Sequence, residues 1–360
     1  MNRNTGQLHD LGQSLWLDNI SREILVDGTL ARYISDLSVT GLTSNPTIFE
    51  KAIGSGNLYD DSIRTLQRQG RSGEDLFLAL ALQDLQQAAD LFRAVHDATV
   101  GLDGWVSLEV SPLLADETRR TVQAAAQLHA AGARPNLFIK IPGTPAGIPA
   151  IEESIFAGVP INVTLLFSRE QYLAAAQAYL RGIERRIGAG LDPKVRSVAS
   201  LFVSRWDVAV KDKVAPPLHN RLGIAIAQRT YKAYRELLGS ARWQALAKAG
   251  AHPQRLLWAS TGTKDPAAAD TLYVDALAAP DTIDTMPEAT LKAFADHGTI
   301  GAMMAPDGGS AEAVLAEFRR AGVHDDALAT QLQREGAESF SKSWNKLLAK
   351  IAEKSALLAA

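Results

Sequence analysis

The chain has 360 residues, of which 46% are hydrophobic and 21% charged, the composition of a globular protein with a large core. Its 37 basic and 40 acidic residues leave a net charge of −3, so no strong field favours nucleic acid or an anionic membrane. The absence of cysteine excludes disulfides, thiolate catalysis and Cys-ligated metal centres.

The first residues of the chain carry no obvious signal peptide. Residues 1–10 are polar and lack the basic-then-apolar order of a signal peptide, and no apolar run approaches the ~20 residues that span a bilayer. We therefore expect a water-soluble, cytoplasmic protein. The seven histidines are scattered without metal-ligand spacing, so we expect no metal site.

Eight short apolar segments predict β-strands along the whole chain. They are 14–20, 39–45, 105–110, 137–142, 160–167, 195–203, 255–261 and 282–286. Helical patterns fill most of the connections, at 21–35, 74–99, 116–131, 144–158, 168–187, 220–249 and 266–277, and again in the tail 311–360. Ser168 is a predicted helix cap, with Glu170 and Gln171 in the first turn.

This alternation of strands and helices predicts an α/β fold with parallel strands. Eight strands favour a closed (β/α)8 TIM barrel, formed by residues 1–360 as a single catalytic domain with helical additions at 46–103 and 311–360. A doubly wound open sheet is the alternative. No GxGxxG follows the first strand, which weakens a dinucleotide-binding version of that alternative.

One predicted strand contains a lysine. Lys140 lies in the apolar run 137–142, which ends at Pro142 and Gly143. Burying an ammonium is costly, and burial favours the neutral amine, which is a nucleophile towards carbonyl carbon. The alternative is a lysine whose stem packs against the strand while its head reaches water.

Polar residues near the ends of the other strands favour the catalytic interpretation. In a barrel enzyme the chemistry lies where strands end, and period-two alternation places Asp18 and Glu109 at such positions. A neutral Lys140 would attack a ketone and lose water to form an iminium, an electron sink for cleavage of the adjacent C–C bond. Glu109 and Asp18 suit the proton transfers, with Thr164 and Glu109 holding a water between them. A structural ion pair is the alternative for the carboxylates.

Substrate contacts are also suggested at strand ends. Asn45, Asn162 and Ser200 could each bind a hydroxyl of a polyol substrate. Arg205 and the segment 260–264, which contains Ser260 and Lys264, suit a phosphate group, although a solvated surface arginine is equally compatible with Arg205.

These residues lie in motifs that resemble those of the transaldolases, in that family's order over roughly 14–290. The motifs are Gly41-Leu42-Thr43-Ser44-Asn45-Pro46, Ser107-Leu108-Glu109-Val110, Leu137-Phe138-Ile139-Lys140, Asn162-Val163-Thr164-Leu165-Leu166-Phe167-Ser168 and Ser200-Leu201-Phe202-Val203-Ser204-Arg205. The resemblance implies a Schiff-base barrel enzyme of the pentose phosphate pathway that uses no metal or cofactor. It would transfer a dihydroxyacetone unit from sedoheptulose 7-phosphate to glyceraldehyde 3-phosphate, giving erythrose 4-phosphate and fructose 6-phosphate.

The resemblance also implies roles for individual residues. Lys140 is the Schiff-base lysine, Glu109 and Thr164 position the catalytic water, and Asp18 is the acid/base for C–C cleavage. Asn45, Asn162 and Ser200 hold substrate hydroxyls or the intermediate, and Arg205 binds phosphate. Where shorter members have an arginine two residues after the serine of the seventh strand, this chain has Ser260 followed by Gly262, and Lys264 is the candidate replacement.

Insertion 46–103 and the long tail suggest the larger bacterial or plant-like subgroup. Two other functions stay open: an aldolase of the same fold that cleaves fructose 6-phosphate, and a non-catalytic sugar-phosphate-binding barrel. We expect sugar phosphates as the binding partners, no nucleic acid or membrane, and a monomer or homodimer.

Overall fold

The computed structural model describes residues 2–359, and its centre is a closed barrel of eight parallel strands in the order β1 to β8. The strands are β1 (Gln13–Asp18), β2 (Val39–Thr43), β3 (Trp105–Glu109), β4 (Leu137–Pro142), β5 (Ile161–Leu166), β6 (Ser197–Phe202), β7 (Gln254–Ala259) and β8 (Thr282–Met286). Parallel pairing of β1 with β8 closes the barrel. The predicted TIM barrel is confirmed, and the doubly wound alternative is wrong.

Sixteen α-helices surround the barrel or cover its ends within residues 2–359. They are α1 (Arg3–Asp10), α2 (Arg22–Val26), α3 (Thr29–Asp36), α4 (Pro46–Gly54), α5 (Asp60–Arg68), α6 (Gly73–Ala98), α7 (Thr118–Gly132), α8 (Gly147–Phe156), α9 (Arg169–Gly188), α10 (Ser204–Val210), α11 (Leu222–Gly239), α12 (Ala241–Lys248), α13 (Leu272–Ala276), α14 (Glu288–His297), α15 (Ala311–Arg320) and α16 (Asp325–Ala359). Short 3-10 turns occur at Pro112–Leu114, Lys211–Lys213 and Pro216–Leu218.

Some predicted helices have different bounds in the structure. Segment 21–35 is two helices, because Gly28 takes a left-handed conformation (φ 79°) between them. In segment 266–277 only α13 is helical, since residues 265–271 form turns held by the side chain of Asp265. Helices α1, α10 and α14 had no predicted counterparts. The predicted cap at Ser168 is confirmed, because Ser168 and Gln171 bond each other's backbone N–H groups reciprocally.

Aromatic rings fill the middle of the barrel. The Trp105 and Phe138 rings stack at 4.0 Å between centroids, and Trp16 lies 6.2 Å from Phe138. Gly41 on β2 makes room for this layer, because a Cβ there would lie 2.7 Å from the Trp16 indole. The filled middle closes the interior and separates the two ends of the barrel.

The two predicted helical additions pack against each other. Trp344 of α16 is buried and meets the Phe77 ring of α6 edge-on at 5.1 Å, and Phe77 in turn meets Phe49 of α4 at 5.4 Å. Near the end of α16, Lys354 donates to the carbonyls of Ile53 and Gly56. Helix α16 therefore lies over the carboxyl ends of the strands and packs against helices α4 and α6 of the insertion.

Candidate active site

A cavity of about 120 Å³ opens at the carboxyl end of the barrel. Its lining contains eight of the ten predicted site residues: Asp18, Asn45, Lys140, Thr164, Ser200, Arg205, Ser260 and Lys264. The remaining lining residues are Thr43, Phe202, Ala259, Gly262, Thr285, Pro287 and Phe340. Glu109 and Asn162 lie beneath this lining and contact its members through hydrogen bonds or close charge contacts.

Lys140 lies at the base of the cavity and is only 5% exposed. Its Nζ donates a hydrogen bond of 2.9 Å to the Ser44 carbonyl and lies 3.4 Å from Glu109 Oε2. The register of β3 against β4 pairs Glu109 with Lys140, so the two side chains point into the barrel at the same height. The lysine is buried, as predicted, and the alternative with its head in water is wrong.

Two buried oxygens beside the lysine have no hydrogen-bond partner within residues 2–359: Glu109 Oε2 and Thr164 Oγ1. Buried polar atoms are normally paired, so unpaired ones in a cavity are suited to a water or substrate group. Burial raises the pKa of Glu109, although Lys140 opposes the shift. A carboxyl group in this environment can both accept and donate a proton.

A chain of hydroxyl groups leads to the second carboxylate. Thr43 Oγ1 donates to Asp18 Oδ1 at 2.8 Å and lies 2.7 Å from Thr285 Oγ1. Because an ionised carboxylate only accepts, Thr43 must donate to it, and Thr285 must then donate to Thr43. Burial raises the pKa of Asp18, and the charge of Lys140 and the Thr43 hydrogen bond oppose that shift.

Three predicted polyol-binding residues are held by fixed hydrogen bonds. Asn45 caps α4 by accepting the Ile48 N–H, which assigns its carbonyl oxygen to the cap and directs its NH2 group away from it. Asn162 accepts from Ser200 at 2.7 Å and donates to Ser107 at 3.2 Å. These bonds orient the amides before any substrate arrives.

The predicted phosphate ligands follow β6 and β7: Arg205 lies in the first turn of α10, and Ser260 and Lys264 lie in the loop after β7. Arg205 lies between two rings, 4.9 Å from the Phe202 centroid and 5.7 Å from that of Phe340. Its guanidinium has no carboxylate partner within 4.0 Å among residues 2–359, and burial lowers its pKa. Lys264 also reaches the cavity, so both cations face the same space. The alternative of a freely solvated Arg205 is wrong.

Several lining residues were not predicted. Thr285 could have been predicted to face the cavity, because it is a polar residue late in β8 and obeys the period-two alternation. Phe340 could not be found in this way, because it lies on α16, far from every strand in sequence. Gln333 of the same helix donates to the carbonyls of Gly143 and Leu165, which ties α16 to the ends of β4 and β5.

Comparisons with known proteins agree with this geometry. The family described as "Transaldolase/Fructose-6-phosphate aldolase" matches residues 15–351. A protein of Frankia alni named "Transaldolase" is 46% identical over 98% of both chains. This chain belongs to the transaldolase/fructose-6-phosphate aldolase family.

Two further members of the family show similar likeness. A "Transaldolase" of Thermobifida fusca is 47% identical, with 96% of this chain and 97% of that protein covered. A "Transaldolase 1" of Streptomyces avermitilis is 45% identical, with 97% and 95% covered. Because the alignments cover nearly all of each protein, insertion 46–103 and most of the tail are shared with these relatives.

Within residues 2–359 no helix is long and apolar enough to cross a bilayer.

Proposed function

We propose that this protein is a transaldolase that reversibly transfers a dihydroxyacetone unit from sedoheptulose 7-phosphate to glyceraldehyde 3-phosphate. The products are erythrose 4-phosphate and fructose 6-phosphate. The observation that carries the proposal is the buried Lys140, 3.4 Å from Glu109, in a cavity that also contains Asp18 and the cations Arg205 and Lys264. Relatives named transaldolase, 45–47% identical, support the same activity.

Schiff-base formation is assigned to Lys140 and Glu109. The lysine amine attacks the C2 carbonyl of the ketose, and the resulting carbinolamine loses its hydroxyl as water to leave an iminium. A raised pKa lets the buried Glu109 carboxyl donate the proton that the leaving hydroxyl requires. Glu109 Oε2, which lies 3.4 Å from Lys140 Nζ, and Thr164 Oγ1, which has no hydrogen-bond partner within residues 2–359, are positioned to hold the water that is released and later returned.

Carbon–carbon cleavage is assigned to Asp18. Its carboxylate accepts the proton of the C4 hydroxyl, the C3–C4 electron pair moves into the iminium, and the aldehyde leaves. The three-carbon unit stays on Lys140 as an enamine. In the second half of the reaction, the nucleophilic carbon of the enamine attacks the aldehyde carbon of the acceptor, and Asp18 returns its proton to the new hydroxyl. Water then adds to the iminium and releases the new ketose from Lys140.

The remaining residues bind the rest of the sugar. Asn45, Asn162 and Ser200 bind hydroxyls, since each presents an amide or hydroxyl with a fixed orientation. Arg205 binds the phosphate through two parallel N–H bonds, and Lys264 adds a second charge, with Ser260 beside it. Lys264 would thus take the place of the arginine found in shorter members.

A fructose 6-phosphate aldolase is the second candidate, because the matching family includes that activity in its description. Product analysis with and without glyceraldehyde 3-phosphate separates the two functions. A transaldolase keeps the three-carbon unit on the enzyme until an acceptor arrives, and borohydride then traps one adduct per chain on Lys140. Steady release of free dihydroxyacetone without acceptor would instead identify an aldolase. A chain that binds sugar phosphate but is never labelled by borohydride would contradict both.

We also propose that residues 1–360 form a single catalytic domain, a monomer or homodimer, located in the cytoplasm and not binding nucleic acid. The net charge of −3 supports the absence of nucleic-acid binding, and the packing of α16 onto the insertion helices supports a single domain.

The Thr43 hydroxyl is expected to set the pH dependence of cleavage. Its hydrogen bond stabilises the ionised Asp18, so Thr43→Val raises the Asp18 pKa further. Because Asp18 must be ionised to accept the C4 proton, the acid limb of kcat moves to higher pH by about one unit, and kcat measured on that limb falls about tenfold. Thr43→Ser keeps the donor and should retain the wild-type profile. Identical profiles for the valine and serine variants would contradict this role.

Phe340 is expected to hold Arg205 in place. Phe340→Ala removes one of the two rings beside the guanidinium, so Arg205 samples orientations that do not meet the phosphate. We expect KM for the phosphorylated donor to rise about tenfold with kcat nearly unchanged, measured by steady-state kinetics. Phe340→Tyr preserves the ring and serves as the control. A loss confined to kcat would instead place Phe340 in the chemical step.

A further inference from the structure

A second cavity, of about 430 Å³, opens at the amino-terminal end of the barrel, opposite Lys140. Residues that precede the strands line it, among them Lys194 and Arg196 before β6 and His252 before β7. His96 and Trp105 form another part of the wall. The ring-filled middle of the barrel lies between this cavity and the active site, so the two spaces are separate.

The cations of this cavity lack carboxylate partners. Arg196 Nη2 donates to the Val100 carbonyl at 3.0 Å, and within residues 2–359 neither Arg196 nor Lys194 has a carboxylate within 4.0 Å of its charged nitrogens. Asp97 is the only carboxylate in the lining, and both its oxygens accept from Arg93 Nε, at 2.8 and 2.9 Å. The cavity therefore presents two cations that no carboxylate contacts directly within residues 2–359.

Arg196 resembles the proposed phosphate ligand Arg205 in its environment. In both cases burial lowers the pKa of the guanidinium from its ordinary value. Arg134, a partly exposed arginine at the same end of the barrel, is paired instead: it donates to both oxygens of Asp90, at 2.6 and 2.9 Å. A half-buried guanidinium that no carboxylate contacts directly is costly, and an anion from solution would reduce that cost.

We propose that this cavity binds the phosphate group of a small phosphorylated metabolite. Arg196 offers parallel N–H donors that fit two phosphate oxygens, and Lys194 supplies a second charge at the rim. His252 and His96 line the same space. The volume exceeds that of phosphate alone, and Pro135, Pro160 and the edge of Trp105 form an apolar wall for the organic part.

Calorimetric titration can isolate this site if the active-site phosphate ligands are removed first. In an Arg205→Ala/Lys264→Ala background, we expect inorganic phosphate and glycerol 3-phosphate each to bind at one saturable site, with dissociation constants in the millimolar range or below. Adding Lys194→Ala or Arg196→Gln should weaken binding at least about tenfold, since each removes a charged donor. Thermal unfolding of each variant confirms that it is folded.

Arg134→Ala is the matched control, because it removes the same charge from the same end of the barrel at a paired arginine. Its binding should equal that of the parent. If Arg134→Ala weakened phosphate binding as much as Arg196→Gln does, the effect would come from surface charge in general, and the proposal would be overturned. The proposal would also be wrong if no saturable binding were seen at millimolar phosphate. It would be wrong as well if the cavity bound inorganic phosphate but not glycerol 3-phosphate. Lys194→Ala in the otherwise unchanged protein should retain full transferase activity, which separates this site from the proposed function.

Discussion

Replacing Lys140 by alanine is expected to abolish transfer of the three-carbon unit. Among residues 2–359 no other lysine lies at the base of the active-site cavity, and without the amine no iminium forms to accept the C3–C4 electron pair. We expect kcat to fall by at least about 10⁴-fold, as for other enzymes that lose their nucleophile. Mass spectrometry after borohydride reduction with sedoheptulose 7-phosphate should show no adduct.

Lys264→Ala is the matched control, because it removes the other lysine of the same cavity. This variant should still form the borohydride-trapped adduct on Lys140, while KM for the phosphorylated donor rises. Trapping on Lys264 in the Lys140→Ala variant, or undiminished turnover of that variant, would overturn the assignment of the nucleophile. Lys140→Ala also leaves Glu109 without its cationic neighbour, so its unfolding temperature must be measured alongside activity.

Asp18→Asn is expected to stop the reaction after the iminium has formed. The amide cannot accept the C4 proton, but it still fills the same volume and can bond Thr43 Oγ1. We expect kcat to fall by about 10²–10⁴-fold, the range for loss of a general base. Borohydride should then trap the intact seven-carbon donor on Lys140, where the wild-type enzyme with donor alone retains the three-carbon unit.

The mass of the trapped adduct therefore distinguishes the roles of Asp18 and Glu109. Glu109→Gln removes the proton donor for loss of water from the carbinolamine, so the iminium forms slowly and little adduct of either mass should accumulate. Asp61→Asn, a fully exposed carboxylate, provides the control for a change of charge alone. A three-carbon adduct formed at the wild-type rate by Asp18→Asn would assign the proton transfer to another group.

The barrel could be predicted from the sequence because its signals are local. Eight apolar segments with helical connections repeat along the chain, and period-two alternation places Asp18, Glu109 and Lys140 on inward faces. The predicted helix boundaries differ from the observed ones where a glycine or a turn interrupts a helical pattern, as at Gly28 and in segment 265–271. The transaldolase-like motifs, which contain Glu109 and Lys140, also implied Schiff-base chemistry from the sequence.

Only the tertiary structure decided which groups meet. The 3.4 Å contact of Lys140 with Glu109 depends on the register between β3 and β4, and the Asp18–Thr43–Thr285 chain depends on barrel closure through β8. Phe340 joins the active site through the packing of α16. Such contacts arise between segments far apart in the chain, where burial and register, rather than local pattern, determine which atoms come within bonding distance.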